Sequence, residues 1–458
     1  MTTRERKAII ISASVGAGHD AVAAVYASRL RAVGFTVIRK DFAFAVPTMA
    51  RLVLHNFYAP QVQHAPDSFT WMIEMLQRPT WVSAIIHLTC VFAAPTVLGW
   101  IADACSRGDT ESRSDEEIDG EQVDLIVTTY PMAAQTMGLL RSRGWLNAPV
   151  IGHVTDPGFH PLWFHLGVDL HLASLPETVQ KANALGYQCT RIDPLVQTAL
   201  PKSLLENERL SFRRRLGLEP RAVVALITTG SLGLGTIEDT VKAVLSHSTI
   251  IAVVMCGQDG ALRKRLEQYG RVIPFGWQEN MTGFYAAADI LVHNASYMAE
   301  EGRAIGLPLV TYNPLPGHGL LTAAAYERAG LSEWPKTPFQ LATAIDDAFK
   351  TNPKPSNVNN NWLECARDAV HVAGGVANHA ASDQVIRQSR VSIILLKAAC
   401  IILANAFYAL ILPVWLTVLT YILLRSMMNT RLYRMMAVLS IVLFLVVGSF
   451  STKPSMSL

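Results

Sequence analysis

The side chains best suited to chemistry stand in loops that follow apolar runs. "GAGHDA" (16–21) comes directly after "KAIIISA" (7–13), so His19 sits where a strand pattern gives way to a helical one. An imidazole there could hold a nucleotide, move a proton or cap the helix. Taken alone the stretch fits G-x-G-x-x-A, and Asp41 stands where a ribose-binding acid of an NAD-type enzyme would be. Asp20 weighs against that reading, because it brings a negative group to the place of the pyrophosphate. "HVTDPGFHPLWFHLGVD" (153–169) is rich in candidates. His153, Asp156, His160 and His165 form a conceivable metal set, but their spacing follows no zinc pattern. Otherwise Asp156 caps the next segment and the histidines satisfy local backbone groups. "TTGSLGLG" (228–235) places small residues between a strand and a helix, where backbone N–H groups and the helix dipole suit phosphate oxygens or make a plain tight turn. "GHG" (317–319) is a further loop with donors.

The elements that must position these loops alternate. "FTVIRKDF" (35–42), "VDLIVTTYP" (123–131), "APVIGHVTD" (148–156) and "DLHLASL" (169–175) read as strands of one parallel sheet. "AVVALITTGS" (222–231), "TIIAVVMCG" (249–257), "GRVIPFG" (270–276), "DILVHNA" (289–295) and "LPLVTYN" (307–313) read as a second sheet. Two doubly wound units bind ligands at the carboxyl ends of their strands, and the polar loops fall there. Residues 43–102 are helical and rich in large apolar groups, which reads as packed core or as a partly exposed flap that dips into a membrane. "SRGDTESRSDEEIDGEQ" (106–122) reads as a charged surface loop.

Composition narrows the class. The chain is 50% apolar and only 16% charged. The surplus is concentrated at the end: residues 393–424 carry one charge, Lys397, and residues 435–450 none. About 20 apolar residues span a bilayer, so a membrane-anchored protein is expected. Arg387, Arg390, Arg425, Arg431 and Arg434 flank the tail and suit an anionic cytoplasmic surface. Two plain spans, or a first stretch that turns back near Pro413, are both open. Arg4 to Lys7 precede only a short apolar run, so no secretory signal is read. Six scattered cysteines suggest neither a disulfide framework nor a zinc site, and fit a reducing compartment. A net charge of +3 is too small to suggest nucleic acid.

The later loops carry a resemblance. "VIPFGWQENMTGFYAAADILVHNA" (272–295) with "AIGLPLVTYNPLPGHGLLTAAAYERAG" (304–330) resembles the carboxyl half of the monogalactosyldiacylglycerol synthase and processive diacylglycerol glucosyltransferase family. "SASVGAGHDAVA" (12–23), "DLIVTTYPMAAQ" (124–135), "VTDPGFHPLWFHLGVDLHLAS" (154–174) and "ALITTGSLGLGTIEDTVKAV" (225–244) are similar to its other segments, in order. These are inverting GT-B glycosyltransferases related to the peptidoglycan N-acetylglucosaminyltransferase. The resemblance implies an α/β fold of two Rossmann-like doubly wound domains facing a cleft: 1–200 for the acceptor and 201–365 for the nucleotide sugar. A connecting helix (366–390) and a membrane-anchoring tail (391–458) would follow.

It also implies roles. His19 matches the general base, with Asp156 orienting it or supporting charge near it. Gly16, Gly18, Pro131, His160 and Trp163 fall on the acceptor side. Gly230, Ser231, Phe275, Gly276, Ser296, Glu301 and His318 fall on the donor side, with Glu301 holding the ribose. The partners implied are a UDP-sugar and a lipid acceptor, diacylglycerol or a glycolipid, at an anionic membrane surface on the cytoplasmic side; no cofactor and no metal are implied. This chain departs from the family at Ala295, Ser296, Tyr297 and Met298, where relatives have Gly-Gly-Leu-Thr, at Thr322 for asparagine and at Asp193 for glycine. The departure at 295–298 motivates a second reading, a catalytically weakened relative that binds lipid or a partner.

Overall fold

The computed structural model describes residues 6–106, 123–196, 202–228, 230–231, 233–351 and 353, with 362, 364, 398–400, 402–404, 406, 407 and 420. The charged loop, the connecting helix and most of the apolar tail therefore lie outside the described residues.

Two parallel sheets form the frame. The first contains β1 (Arg6–Ser12), β2 (Phe35–Asp41), β3 (Val123–Thr128), β4 (Val150–His153), β5 (Leu170–Ala173) and β6 (Cys189–Arg191), in the order β2-β1-β3-β4-β5-β6. The second contains β7 (Val223–Thr228), β8 (Ile250–Met255), β9 (Val272–Phe275), β10 (Ile290–His293) and β11 (Leu309–Thr311), in the order β11-β10-β7-β8-β9. Every strand pairing within them is parallel. Parallel strands covered on both faces read as continuous apolar runs, and their side chains still alternate. Ile9, Ile11, Ile126 and Val150 pack against one helical layer, while Ala8, Ile10, Leu125, Val127 and Ile151 pack against Val22, Tyr26 and Leu30 of the helix Ala17–Ala32. That helix carries Asp20 in its first turn and Arg29 and Arg31 in its last, the charge order its dipole favours.

The apolar region 43–102 packs against the first sheet on one side and exposes large apolar side chains on the other. Helix Trp81–Ser106 buries Cys90, Ala93, Ala94, Val97 and Ile101 against the first sheet. By length and composition it could cross a membrane, but 39% of its most apolar window is buried inside the protein. Its outer side exposes Trp81 and Val91, beside the exposed Trp71 of helix Pro66–Leu76. Where the tail is described, Phe407 meets Phe92 of the same helix at 6.3 Å between ring centroids.

The two units touch. Val62, Phe69, Ile73 and Leu76 share an apolar cluster with Leu234 and Leu315 of the second unit. Leu175 packs with Ala299, Ala325 and Tyr326, and Glu177 receives a two-pronged contact from Arg328 at 2.9 and 3.0 Å. Trp362 returns to the first unit and meets Tyr26 edge to face at 4.9 Å. At Gly158 a Cβ would lie 2.8 Å from the Leu321 carbonyl carbon and 2.9 Å from the Thr322 nitrogen. Gly158→Ala is therefore expected to lower stability by about 1–3 kcal/mol in thermal unfolding. Gly99→Ala, in a helix with nothing within 4 Å of the new methyl, is the control and should gain about 0.5–1 kcal/mol.

Candidate functional site

Both sheets reverse their winding direction where a crevice forms at the strand ends: between β1 and β3 in one, between β7 and β10 in the other. The loops after these strands face each other and contain most of the side chains singled out from the sequence.

On the first rim, Gly16 is extended and opens the helix, so that His19 lies in its first turn. His19 Nδ1 is 2.8 Å from Thr155 Oγ1. Its ring stands edge-on to Tyr130 at 5.2 Å and tilted to Trp163 at 5.9 Å. Its carbonyl accepts from Thr129 Oγ1 at 3.0 Å. The other ring edge faces Gly16, where a Cβ would be 3.6 Å from Cδ2 and 3.9 Å from Nε2. His19 keeps part of its surface open to the cleft, yet burial lowers its pKa; Asp156, the Thr129 carbonyl and Asp20 push it up, and His318 from the second unit pushes it down. Asp156 is close enough to act on His19, but its Oδ2 accepts from Trp163 Nε1 at 3.2 Å. The partner of His19 Nδ1 is thus Thr155, which the sequence did not single out. His160 Nδ1 accepts from Leu162 N at 3.2 Å, and burial pushes its pKa down to about 4, against the pull of Asp156. Pro131 starts the helix Pro131–Ser142 behind Tyr130.

The other two histidines of that segment are occupied elsewhere. His153 Nδ1 pairs with Tyr26 Oη at 3.1 Å, and His165 Nδ1 accepts from Gly167 N at 2.9 Å. Among the described residues no group of three His, Cys, Asp or Glu is arranged to hold a metal. Asp41 accepts from Ser14 Oγ at 2.7 Å and Ala43 N at 2.9 Å, which ties it to the loop after β1 and to its own turn.

On the second rim, Gly230 takes a positive φ of 72°, and a Cβ on it would stand 4.0 Å from Ser296 Cβ. Ser231 offers its carbonyl to Gln258 N at 2.9 Å. Among the described residues, Ser296 Oγ, Asn294 Oδ1 and Thr228 Oγ1 are buried and without a hydrogen-bond partner, as is Thr128 Oγ1 on the facing rim. Buried polar atoms are nearly always paired, so such a group at a crevice points to a ligand. The helix Met298–Ile305 begins beside Ser296. Glu301 accepts from Tyr285 Oη at 2.5 Å, and burial raises its pKa. Phe275 ends β9 against Phe284, and Gly276 follows it. These two are further along the sheet than Ser296. His318 opens the helix His318–Arg328 and meets Phe69 of the flap edge-on at 5.8 Å.

Two more residues gain roles from the structure. Tyr297 reaches across the cleft: Gly18 lies under its Cβ, at 2.8 Å from where a Cβ would be, and its Oη donates to Leu195 O at 3.0 Å. Glu300 is buried between Arg303, at 2.7 Å, and Tyr326. A groove of about 420 Å³ between helix Pro66–Leu76 and residues 317–321 adjoins the site; Thr70, Ile73, Glu74, Arg78 and Leu321 line it.

Comparison with known proteins bears out the resemblance. The family model for monogalactosyldiacylglycerol (MGDG) synthase matches residues 109–195. A processive diacylglycerol beta-glucosyltransferase of Bacillus cytotoxicus is 25% identical over 222 residues, 46% of this chain and 55% of the relative. Its Bacillus pumilus counterpart is 24% identical over 225 residues, 48% of this chain and 58% of the relative. The chain thus spans a little over half the length of these curated relatives. A UDP-glucosyltransferase from Polygonum tinctorium superposes with a TM-score of 0.48 at 14% identity, over 87% of this chain and all of that one.

The buried histidines make an acid-sensitive structure. Burial holds His153 and His293 down to about 3, and His160 and His171 to about 4, against 6.5 when unfolded. Between those values the unfolded chain binds more protons, so this stability is fully present above pH 6.5 and is lost as pH falls towards 4. The thermal midpoint should fall steadily across that window in calorimetry, and less steeply in His293→Asn, which keeps an acceptor for Ala295 N.

Proposed function

We propose that the chain is a membrane-associated GT-B glycosyltransferase that moves a hexose from a UDP-sugar to the hydroxyl of a diacylglycerol or glycolipid, with inversion. One observation carries this reading. A histidine held neutral by its surroundings faces, across the cleft, a group of unpartnered polar atoms at the switch point of the second sheet. The curated relatives named as diacylglycerol glucosyltransferases support the choice of a lipid acceptor.

The chemistry follows from the geometry. An acceptor hydroxyl at Nε2 of His19 gives up its proton as its oxygen attacks the anomeric carbon from the face opposite the leaving diphosphate. Ser296 Oγ, beside the Gly230 turn, and the positive end of the Met298–Ile305 helix dipole would stabilise the growing charge of that leaving group, and no metal enters the step. Glu301, with one oxygen on Tyr285, has its second oxygen for ribose hydroxyls, and Phe275 and Gly276 border the base. His160, Trp163 and Asp156 line the acceptor side. Exposed Trp71 and Trp81 would rest at the lipid interface, where amphipathic rings are favoured. The cytoplasmic face and an anionic lipid surface complete the reading.

The second reading, a weakened relative that binds lipid or a partner, is favoured by Tyr297, whose ring bridges the two units where relatives carry a smaller residue. The full chain in diacylglycerol-containing phosphatidylglycerol vesicles, supplied with labelled UDP-sugars, separates the two. Transfer is expected, with His19→Ala slower by about 10²–10⁴-fold. Its acid limb should lie below pH 6.5, since His19 titrates below its ordinary value. No transfer and no calorimetric heat with UDP, with vesicle binding kept, would favour the binding protein.

A further inference from the structure

Nδ1 of His19 is held by a hydroxyl, and the Thr129 carbonyl is the backbone group that favours the charged ring. Nδ1 lies 2.8 Å from Thr155 Oγ1, while the Nε2 edge borders a glycine. The carboxylates that could have taken this place have other partners. Asp156 accepts from Trp163 at 3.2 Å, Asp41 from Ser14 at 2.7 Å, and Asp20 from Ser12 Oγ at 2.5 Å. The charged and titratable groups that face the ring are Asp156 from the loop after β4, Asp20 on its own helix and His318 from the second unit; Tyr130, after β3, packs on its edge.

We propose that Thr155 is the positioning residue for His19: its Oγ1 accepts from Nδ1–H, which leaves the Nε2 lone pair turned to the acceptor, and it keeps that bond when the ring is charged. This rests on the transfer reading above. In the step, the acceptor O–H bond breaks and its proton goes to Nε2. The new C–O bond forms as the bond to the diphosphate breaks, and the electron pair leaves with UDP. The neutral base carries its proton on Nδ1 and the imidazolium carries N–H on both nitrogens, so Nδ1 needs an acceptor in both states, and a hydroxyl oxygen has lone pairs for it. A carboxylate there would raise the resting pKa of the ring. A hydroxyl lets burial prevail, so the base waits neutral.

The test compares Thr155→Val with Thr155→Ser in the full chain, using UDP-glucose and diacylglycerol vesicles, together with ¹⁵N NMR of histidine-labelled protein. Thr155→Val should lower kcat about tenfold with the donor KM little changed, and move the acid limb to lower pH. It should also shift the His19 Nδ1 resonance, assigned with His19→Gln. Thr155→Ser should restore all of these. Wild-type kcat and unchanged His19 resonances in Thr155→Val would overturn the proposal, as would a serine variant as slow as the valine one. A resonance shift in a chain that transfers no sugar would overturn the transfer reading and leave the anchoring of the ring supported.

Discussion

Close approach through glycine joins the two units, and the site depends on it. Three contacts across the cleft have the same form. Gly18 lies under Tyr297, Gly158 against the backbone of Leu321 and Thr322, and Gly317 against Ile73 and Phe69; a Cβ at any of them would meet a neighbour at 2.6–2.8 Å. Each lies in or beside a loop that carries a candidate side chain: His19, His160 and His318. The missing side chains let the two rims approach until His318 influences the titration of His19 and His160. Gly317 N also donates to Thr70 Oγ1 at 3.1 Å, so the flap is tied to the same seam. A side chain at any of these positions would have to push the rims apart.

That closeness sets the electrostatics. A histidine next to a carboxylate ordinarily gains proton affinity. Asp156 does pull His19 and His160 that way, but burial outweighs it at both. The reason is that Asp156 is shared. It accepts a hydrogen bond from Trp163 and acts on the imidazoles only through space. In the proposed transfer a neutral imidazole suits the proton acceptor, and Asp156 and the Thr129 carbonyl would meet the charge that appears on it. The balance is one of distances, so it depends on the same packing that brings the rims together.

The sequence made the frame legible and the pairings obscure, for physical reasons. Strands buried on both faces leave unbroken apolar runs, as in β1, β3, β4, β7, β8 and β10; the half-buried edge strands β2 and β9 are legible only as short apolar stretches between turns. β6 is three residues at a sheet edge, with Arg191 exposed, and has no such signature. The family's motifs drew attention to His19 and Asp156, and the departure at 295–298 to Ser296. They did not disclose that Thr155, rather than Asp156, holds the ring, because that contact spans 136 residues and depends on the crossing of two loops. Apolar periodicity also left the 43–102 region ambiguous. Helix Trp81–Ser106 is apolar on every side, so its pattern does not mark which face meets the sheet.

The altered stretch 295–298 shows how a departure from a family can act on one face of a loop. Losing the first glycine leaves Ala295 at a φ of +63°, a left-handed conformation that costs a β-carbon roughly 1–2 kcal/mol. The loop nevertheless keeps the turn, held by Ala295 N donating to His293 Nδ1 at 3.1 Å. The two side chains that follow point to different duties. Tyr297 serves the seam, with its ring over Gly18 and its hydroxyl on Leu195. Ser296 turns the other way, toward Gly230, and its buried oxygen has no protein partner. The substitution that looks most damaging in the sequence therefore falls on the contact between units. The small polar surface beside the start of helix Met298–Ile305, where the proposed diphosphate would rest, retains a hydroxyl and a positive-φ glycine.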